Sequence, residues 1–224
     1  PFASSREKME AAVDHTTRWA RRAKDRFLES ETPQHLWGIS QGSVHWDLRR
    51  RSIEALLEIE FDGYALGGLG IGEPKAELLE TLEKADDLVP KDKPRYLMGM
   101  GYIEDILGAV ERGVDLFDCV LPTRNARNGT LFTRRGRIAI KNKKYERDFR
   151  PVDEACGCPT CRRFTRAYLR HLYERNEIAS AVLNTVHNLW FYLDIFREMR
   201  QSMASNSFHE FKNQISGQLE EGAT

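Results

Sequence analysis

The chain has 224 residues, 41% of them hydrophobic and 30% charged, and its 34 basic side chains balance 34 acidic ones. This composition is typical of a soluble globular protein with one large domain, or with a core and an appendage. Because the sequence has no apolar stretch of about 18 residues and no signal-peptide pattern, we expect a cytoplasmic protein without a membrane span.

Amphipathic helices alternate with short apolar runs along the first half of the chain. The predicted helices cover residues 6–27, 48–59, 74–85 and 103–113. The predicted strands cover residues 36–40, 63–66, 94–99 and 116–120. Four strands and four helices in alternation predict an α/β fold, with a parallel sheet and helices packed outside it.

Each predicted strand ends in a polar side chain or in glycine. These residues are Gln41, the glycines at 67, 68 and 70, Gly99, and Asp118. The carboxyl ends of parallel strands meet at one edge of a sheet, where barrel and open α/β enzymes build their sites. A closed barrel needs eight βα units and this sequence has four, so we expect the second half of a barrel.

Positive charge is concentrated in residues 124–150, where ten Lys or Arg side chains accompany two acidic ones. Within this region, residues 130–142 (TLFTRRGRIAIKN) predict a β-hairpin that turns near Arg135 and Gly136. A solvated basic face is one interpretation of the charge, and a surface that contacts phosphates is the other. Side chains able to hydrogen-bond to bases or stack on them favour nucleic acid: Asn125, Asn128, Phe132 and Tyr145.

The sequence CGCPTC brings three thiols close together: Cys156, Cys158 and Cys161. Their C-x-C-x2-C spacing is typical of a tetrahedral zinc site, which needs a fourth ligand from farther along the chain. His171 and His187 are the candidates; the first has the ordinary setting of a surface helix, and the second lies among apolar residues. We predict one structural zinc bound by the cysteines and His187, which would tie a helix over residues 177–201 to the preceding loop.

Six motifs follow one another along the chain: GISQG, FDGYALGGLGIGEP, KPRYLMG, RGVDLFDCVLPTRNARNGTLFT, CGCPTC and TVHNLWFY. In order and spacing they resemble the tRNA-guanine transglycosylases, specifically the bacterial queuine tRNA-ribosyltransferase type. The resemblance implies a (β/α)8 barrel with an inserted zinc-binding subdomain, of which this chain looks like the C-terminal part. It implies three segments: residues 1–123 as the second half of the barrel, 124–201 as basic hairpin, zinc subdomain and closing helix, and 202–224 as a partly helical tail.

The family exchanges the wobble guanine of certain tRNAs for a 7-deazaguanine in queuosine biosynthesis. Retention at the sugar requires two displacements, and a carboxylate can form the covalent ribosyl intermediate between them. The resemblance implies that Asp118 is this nucleophile. Because adjacent strand residues face opposite sides, Cys119 is expected to point away from the site as a small buried hydrophobe.

The resemblance assigns base binding to Gln41, Gly68, Leu69, Glu73, Tyr96 and Met98. It implies that Gln41 hydrogen-bonds the purine edge and that Glu73 braces the peptide after Leu69. Met98 would pack on the face of the base. Bulk at Ile71 leaves little room for a large 7-substituent, which implies 7-aminomethyl-7-deazaguanine as the incoming base.

The resemblance also implies which partners the protein binds and which part of the family fold this chain lacks. Arg124 and Arg127 would contact the tRNA anticodon loop, and the family usually forms homodimers. The family's second catalytic Asp lies in the half that this chain lacks, and Pro1 rather than Met begins the sequence. We therefore expect a fragment that binds tRNA weakly and in a salt-sensitive way, and that does not exchange guanine alone.

Three other functions fit part of the sequence. A non-catalytic RNA-binding partner subunit of the same family would lack the nucleophile and zinc motifs, which are both present here. A metabolic barrel enzyme would use GGLGIG (residues 67–72) as a phosphate nest. A zinc-stabilised RNA-binding module, such as a non-catalytic subunit of the family, would account for the basic region and the cysteines but not for Asp118.

Overall fold

The computed structural model describes residues 4–30 and 32–221. The chain forms two compact units, Pro1–Cys119 and Val120–Thr224. Across the described residues, no helix combines the length and the apolar content that a bilayer crossing requires.

The first unit alternates helices and strands in the predicted order. Its helices are α1 (Arg6–Leu28), α2 (Trp46–Leu57), α3 (Lys75–Asp86) and α4 (Ile103–Val110). Its strands are β1 (Trp37–Ser40), β2 (Gly63–Leu66), β3 (Arg95–Leu97) and β4 (Leu116–Phe117). All three neighbouring strand pairs are parallel, in the order β1-β2-β3-β4, which confirms the predicted α/β class.

The two faces of this sheet differ. One face carries Ser40, Leu66 and Leu97, which are at most 4% exposed. Helices α2, α3 and α4 contribute further buried side chains to the core of this unit. The opposite face presents Ile39 and Leu116, which are 37% and 45% exposed. One face of the sheet is therefore packed and the other is apolar and open.

The second unit begins with a short helix and a hairpin, and ends in three longer helices. Its helices are α5 (Leu121–Arg127), α6 (Pro159–Arg163), α7 (Arg166–Glu174), α8 (Ile178–Ala204) and α9 (Phe208–Glu221). Strands β5 (Thr130–Thr133) and β6 (Gly136–Ala139) pair antiparallel, so the predicted hairpin and its turn are confirmed. One apolar cluster of its core consists of Leu131, Ile140, Tyr145, Val152 and Leu169.

The C-terminal part of the chain is more helical than the sequence pattern indicated. Helix α8 includes the helix predicted over residues 177–201 and continues to Ala204. Helix α9 occupies most of the tail that we predicted to be partly helical. Residues 222–224 of that tail lie outside the described residues.

Candidate functional site

The strand register aligns the carboxyl ends of the parallel sheet. The last paired residues of the four strands are Ser40, Leu66, Leu97 and Phe117. The residues that follow them at this edge are Gln41, Gly67, Met98 and Asp118. The edge is where parallel α/β folds place their chemistry.

Asp118 accepts two hydrogen bonds at one carboxylate oxygen, Oδ1. The hydroxyl of Tyr96 donates from 2.6 Å and the backbone amide of Gly99 from 2.8 Å. The bond from Tyr96, followed by the bond from Gly99, lowers the pKa of Asp118, and the carboxylate in turn raises the pKa of Tyr96. Near neutral pH the pair is therefore an ionised acid and a protonated phenol. Neither bond uses Oδ2, and Asp118 is exposed.

Cys119 is half-buried rather than fully buried as expected for a small core hydrophobe. The physical reason is that β4 ends at Phe117, so the chain has already left the packed sheet at this point. The prediction that Cys119 is fully buried is therefore wrong, and the direction in which its side chain points stays a prediction.

The side-chain amide of Gln41 lies against the glycines that follow β2. A Cβ atom on Gly68 would lie 2.9 Å from Oε1 of Gln41, and one on Gly67 would lie 3.0 Å from its Nε2. Gly68 also has a φ of +68°, which disfavours any side chain there. The glycines therefore place bare backbone beside an amide that can both donate and accept.

Two buried polar side chains of α2, which the sequence prediction missed, hold the loop that carries Gln41. Arg49 is 0% exposed; its Nη1 donates to the carbonyl of Ser40 (3.0 Å) and its Nη2 to that of Ser43 (2.8 Å). Ser52 is also 0% exposed, and its Oγ accepts from the backbone amide of Gln41 at 2.9 Å. Burial lowers the pKa of Arg49 to about 10, so it stays charged at neutral pH.

A second loop, after β2, is held by a carboxylate. The two oxygens of Glu73 accept from the backbone amides of Gly70 and Ile71, the latter at 3.0 Å. Leu69 is 3% exposed, so the peptide after it is fixed on one side by burial and on the other by Glu73. Ile71 is 51% exposed, and Met98 is half-buried.

Among the described residues of this unit, two grooves contain residues named above. One, of about 280 Å³, is lined by the loops of Gln41 and Gly68, by Ile71, and by the first turns of α1, including Lys8 and Met9. The other, of about 380 Å³, lies on the open face of the sheet. It is lined by Trp37, Ile39, Ala65, Tyr96, Leu116 and Phe117. Tyr96 therefore links the apolar face to Asp118.

The second unit brings the three cysteines and His187 together. The Sγ atoms of Cys156, Cys158 and Cys161 lie 3.7, 3.5 and 3.4 Å from Nδ1 of His187. In a tetrahedral zinc site with ordinary Zn–S and Zn–N bonds, sulfur and nitrogen are separated by about 3.6 Å. The four ligand atoms also lie within 4.8 Å of one another, so the cluster could hold a metal ion.

The surroundings of this cluster orient the His187 ring and favour the thiolate of one cysteine. His187 is 0% exposed, and its Nε2 lies 2.8 Å from the carbonyl of Phe132, which leaves Nδ1 as the ligand atom. Hydrogen bonds from Cys156 and Cys161 lower the pKa of Cys158 and favour its thiolate. His171, the other candidate, is exposed on α7 and is not part of the cluster.

The basic region divides into exposed cations and cations held in ion pairs. Arg124 and Arg127 are exposed on α5. By contrast, Arg134 pairs with Asp194 at 3.1 Å and with Glu198 at 2.5 Å, and is only partly exposed. The sequence pattern therefore overstates the number of cations available to a polyanion.

The expectation that Phe132 and Tyr145 stack on bases is wrong. They are 6% and 5% exposed. Phe132 packs edge-on against Tyr192 of α8 with ring centroids 5.3 Å apart, and Tyr145 belongs to the core of the second unit. A unit of about 100 residues buries such large rings in its own core, which the charge pattern around them did not reveal.

Comparison with known proteins identifies the family. The family model described as queuine tRNA-ribosyltransferase matches residues 1–221. The chain belongs to this family. The resemblance inferred from the six sequence motifs is therefore confirmed.

Relatives within the queuine tRNA-ribosyltransferase family are similar over almost the whole chain. The queuine tRNA-ribosyltransferase of Thermodesulfovibrio yellowstonii is 51% identical over 214 residues, which cover 96% of this chain and 56% of the relative. That of Nitratidesulfovibrio vulgaris is 50% identical over 212 residues, covering 95% and 56%. That of Halothermothrix orenii is 47% identical over 215 residues, covering 96% and 57%. The chain thus spans about half the length of the curated relatives it matches.

Proposed function

We propose that this chain carries the nucleophile of a tRNA-guanine transglycosylase, a pentosyltransferase that exchanges the wobble guanine of tRNA for 7-aminomethyl-7-deazaguanine in queuosine biosynthesis. One observation carries the proposal: a carboxylate at the carboxyl edge of the sheet, kept ionised by Tyr96 and Gly99, with one oxygen outside those bonds. Family membership and the relatives' shared name support the same reaction.

In the proposed first displacement, Oδ2 of Asp118 attacks C1′ of the wobble ribose. The C1′–N9 bond breaks, its electron pair leaves with guanine, and an ester joins ribose to Asp118. In the second displacement N9 of the incoming base loses its proton and attacks the same carbon, and the carboxylate leaves. The family resemblance assigns this proton, and the one that the departing guanine takes up, to the second catalytic Asp in the part of the relatives that this chain does not span. Two inversions give overall retention, as in retaining glycosidases. The bonds from Tyr96 and Gly99 steady the carboxylate in both steps and help it leave in the second.

We propose that the base is bound at the same edge, by Gln41, the backbone of Gly68 and Leu69, Met98, Tyr96 and Glu73. The amide of Gln41 lies beside bare glycine backbone, so donors and acceptors for a purine edge converge there. Glu73 fixes the peptide after Leu69 and sets its orientation toward the base.

Ile71 is proposed to select the size of the 7-substituent. It lines the groove beside Gln41 and Gly68 and carries a branched side chain that is half exposed to it. A compact aminomethyl group fits beside such a side chain better than a larger ring does.

We propose that the cluster of the second unit binds one structural zinc through Cys156, Cys158, Cys161 and His187. Four protein ligands leave no position for a substrate, which is the pattern of structural rather than catalytic zinc. The metal would supply folding free energy by joining the loop of residues 156–161 to helix α8.

Arg124 and Arg127 are proposed to contact the phosphates of the anticodon loop. Both are exposed and lie one helical turn apart on α5. Guanidinium groups bind phosphates through two parallel hydrogen bonds, which gives them an advantage over lysine at such a surface.

We further propose that the four strands form the C-terminal half of a (β/α)8 barrel with a zinc-binding subdomain. Residues 1–123 would belong to the barrel, 124–201 to the hairpin, zinc subdomain and closing helix, and 202–224 to the tail. The apolar open face of the sheet supports this, because the inner face of a barrel is filled by side chains from strands all around it. We also propose that the complete protein forms the homodimer that the family resemblance implies.

The test is exchange of labelled guanine into tRNA by this chain completed with the N-terminal part that its relatives have. We expect exchange by the wild type, none by Asp118→Asn, and wild-type exchange by Asp92→Asn, an exposed acid that precedes β3 and is not at the carboxyl ends of the strands. Binding of tRNA without exchange would instead favour a non-catalytic family subunit. Binding of small phosphate esters without tRNA would favour a metabolic barrel enzyme.

A further inference from the structure

Helix α8 carries a buried polar face in its N-terminal half. Asn184, His187 and Asn188 are each 0% exposed and lie three or four residues apart, on one side of the helix. Buried polar groups cost free energy unless they are hydrogen-bonded. The metal cluster accounts for His187, but it does not account for the two asparagines.

Asn188 uses both ends of its side-chain amide. Its Oδ1 accepts from the backbone amide of Phe132 at 3.0 Å. Its Nδ2 donates to the carbonyl of Thr130 at 3.0 Å and to that of Pro122 at 2.9 Å. One side chain thus joins α8 both to strand β5 and to the first turn of helix α5.

Asn184 makes a second connection to α5, one turn earlier on α8. Its Nδ2 donates to the carbonyl of Ala126 at 3.4 Å. Pro122 and Ala126 are four residues apart, so the two asparagines hold successive turns of the same face of α5. Both residues of α5 are buried.

The opposite side of α5 carries the two arginines assigned to RNA. Arg124 and Arg127 are exposed, and residue 124 lies about 200° around the helix from residue 122. A helix of only seven residues has little stability of its own, so its orientation depends on what it packs against.

We propose that Asn184 and Asn188 are positioning residues for tRNA binding, which fix α5 so that Arg124 and Arg127 face the RNA together. This inference rests on the proposed function, in which those arginines contact the anticodon loop. The asparagines act through α5 and do not touch RNA themselves. The two asparagines that hold α5 and the proposed metal ligand His187 lie within five consecutive residues of α8.

The test is the affinity of the zinc-loaded 224-residue chain for an anticodon stem-loop RNA. Asn188→Asp keeps the shape and an acceptor for Phe132 but removes the donors to Pro122 and Thr130. Asn213→Asp, on an exposed position of α9, is the control for the added negative charge. Asn184→Ala removes the bond to Ala126, and a second bond to Ser180 within α8, without any change of charge. Each variant is also measured in the background Arg124→Ala with Arg127→Ala.

We expect Asn188→Asp to weaken RNA binding roughly tenfold and Asn184→Ala roughly threefold, with unchanged zinc content. Asn213→Asp should bind like the wild type. In the variant that lacks Arg124 and Arg127, the asparagine substitutions should not weaken RNA binding further, because the asparagines act only by orienting those two arginines.

Equal RNA affinity of wild type, Asn188→Asp and Asn184→Ala, in a chain whose binding does depend on the arginines, would overturn the positioning role alone. Wild-type affinity in the variant without the arginines would overturn the proposed RNA contact and this inference with it. If Asn188→Asp fails to retain zinc, Asn184→Ala decides between these outcomes, because it removes only two long hydrogen bonds, one to Ala126 and one to Ser180 within α8 itself.

Discussion

The hydroxyl of Tyr96 lies 2.6 Å from Oδ1 of Asp118, so the residue that shapes the apolar face of the sheet also sets the ionisation of the proposed nucleophile. We expect Tyr96→Phe to raise the pKa of Asp118 and to move the acidic limb of the pH–rate profile for guanine exchange to higher pH. The rate near neutral pH should fall roughly tenfold, since a hydrogen bond to a charged group is lost.

The matched control is Tyr168→Phe, an exposed tyrosine of the second unit. It should leave both the rate and the profile unchanged. An unaltered acidic limb in Tyr96→Phe would show that this hydroxyl does not govern the ionisation of Asp118 in the working enzyme.

Arg49 offers a test of the loop that carries Gln41. Arg49→Met removes the donors to the carbonyls of Ser40 and Ser43 while keeping most of the buried volume. We expect KM for the free base to rise roughly tenfold, with a smaller change in kcat, because Gln41 is displaced and Asp118 is not. Arg50→Met, at the neighbouring exposed arginine, is the control. A fall in kcat at constant KM would contradict the positioning of Gln41 by Arg49.

The zinc proposal predicts a difference between the two histidines. His187→Ala should lose most of its bound zinc and destabilise the second unit, because a closed tetrahedral site loses one of four ligands. His171→Ala should retain one zinc per chain, since His171 is exposed outside the cluster. Metal analysis of both purified variants measures this. Full zinc content in His187→Ala with loss in His171→Ala would mean that the other histidine is the ligand.

Asp148 predicts how stability depends on pH. Its carboxylate accepts from Arg150 and, at 3.0 Å, from Arg166, and these bonds hold its pKa well below the ordinary value. A lowered folded-state pKa means that the contribution to stability is present above the unfolded pKa of about 3.9 and is lost as pH falls below it. Urea unfolding of the second unit should therefore show stability falling from pH 5 toward pH 2.

Asp148→Asn should lower the free energy of unfolding at neutral pH by about 2 kcal/mol and flatten this acidic dependence. Asp92→Asn, at an exposed position, should keep the wild-type curve. A variant at Asp148 that loses stability on acidification as steeply as the wild type would refute the assignment.

Much of the fold could be read from the sequence because its periodicity is strong. Four apolar runs that alternate with four amphipathic stretches predicted the parallel sheet, and the cysteine spacing predicted the metal cluster. Arg49 was missed because it sits in a run of three arginines, although its spacing to Ser52 and Leu56 places it on the buried face of α2. Phe132 was misassigned because it packs against Phe191 and Tyr192 of α8, about 60 positions along the chain. The charges near Phe132 in the sequence give no information about such a long-range contact.

The central claim is that Asp118 is the nucleophile, and mapping a trapped covalent adduct tests it most directly. The chain, completed with the N-terminal part of its relatives, is incubated with tRNA, denatured, digested and analysed by mass spectrometry. We predict a ribosyl ester on Asp118, no adduct in Asp118→Asn, and a normal adduct in Cys119→Ser, because an amide is a poor nucleophile toward the sugar carbon. An adduct on Cys119, or an undiminished adduct in Asp118→Asn, would contradict the account.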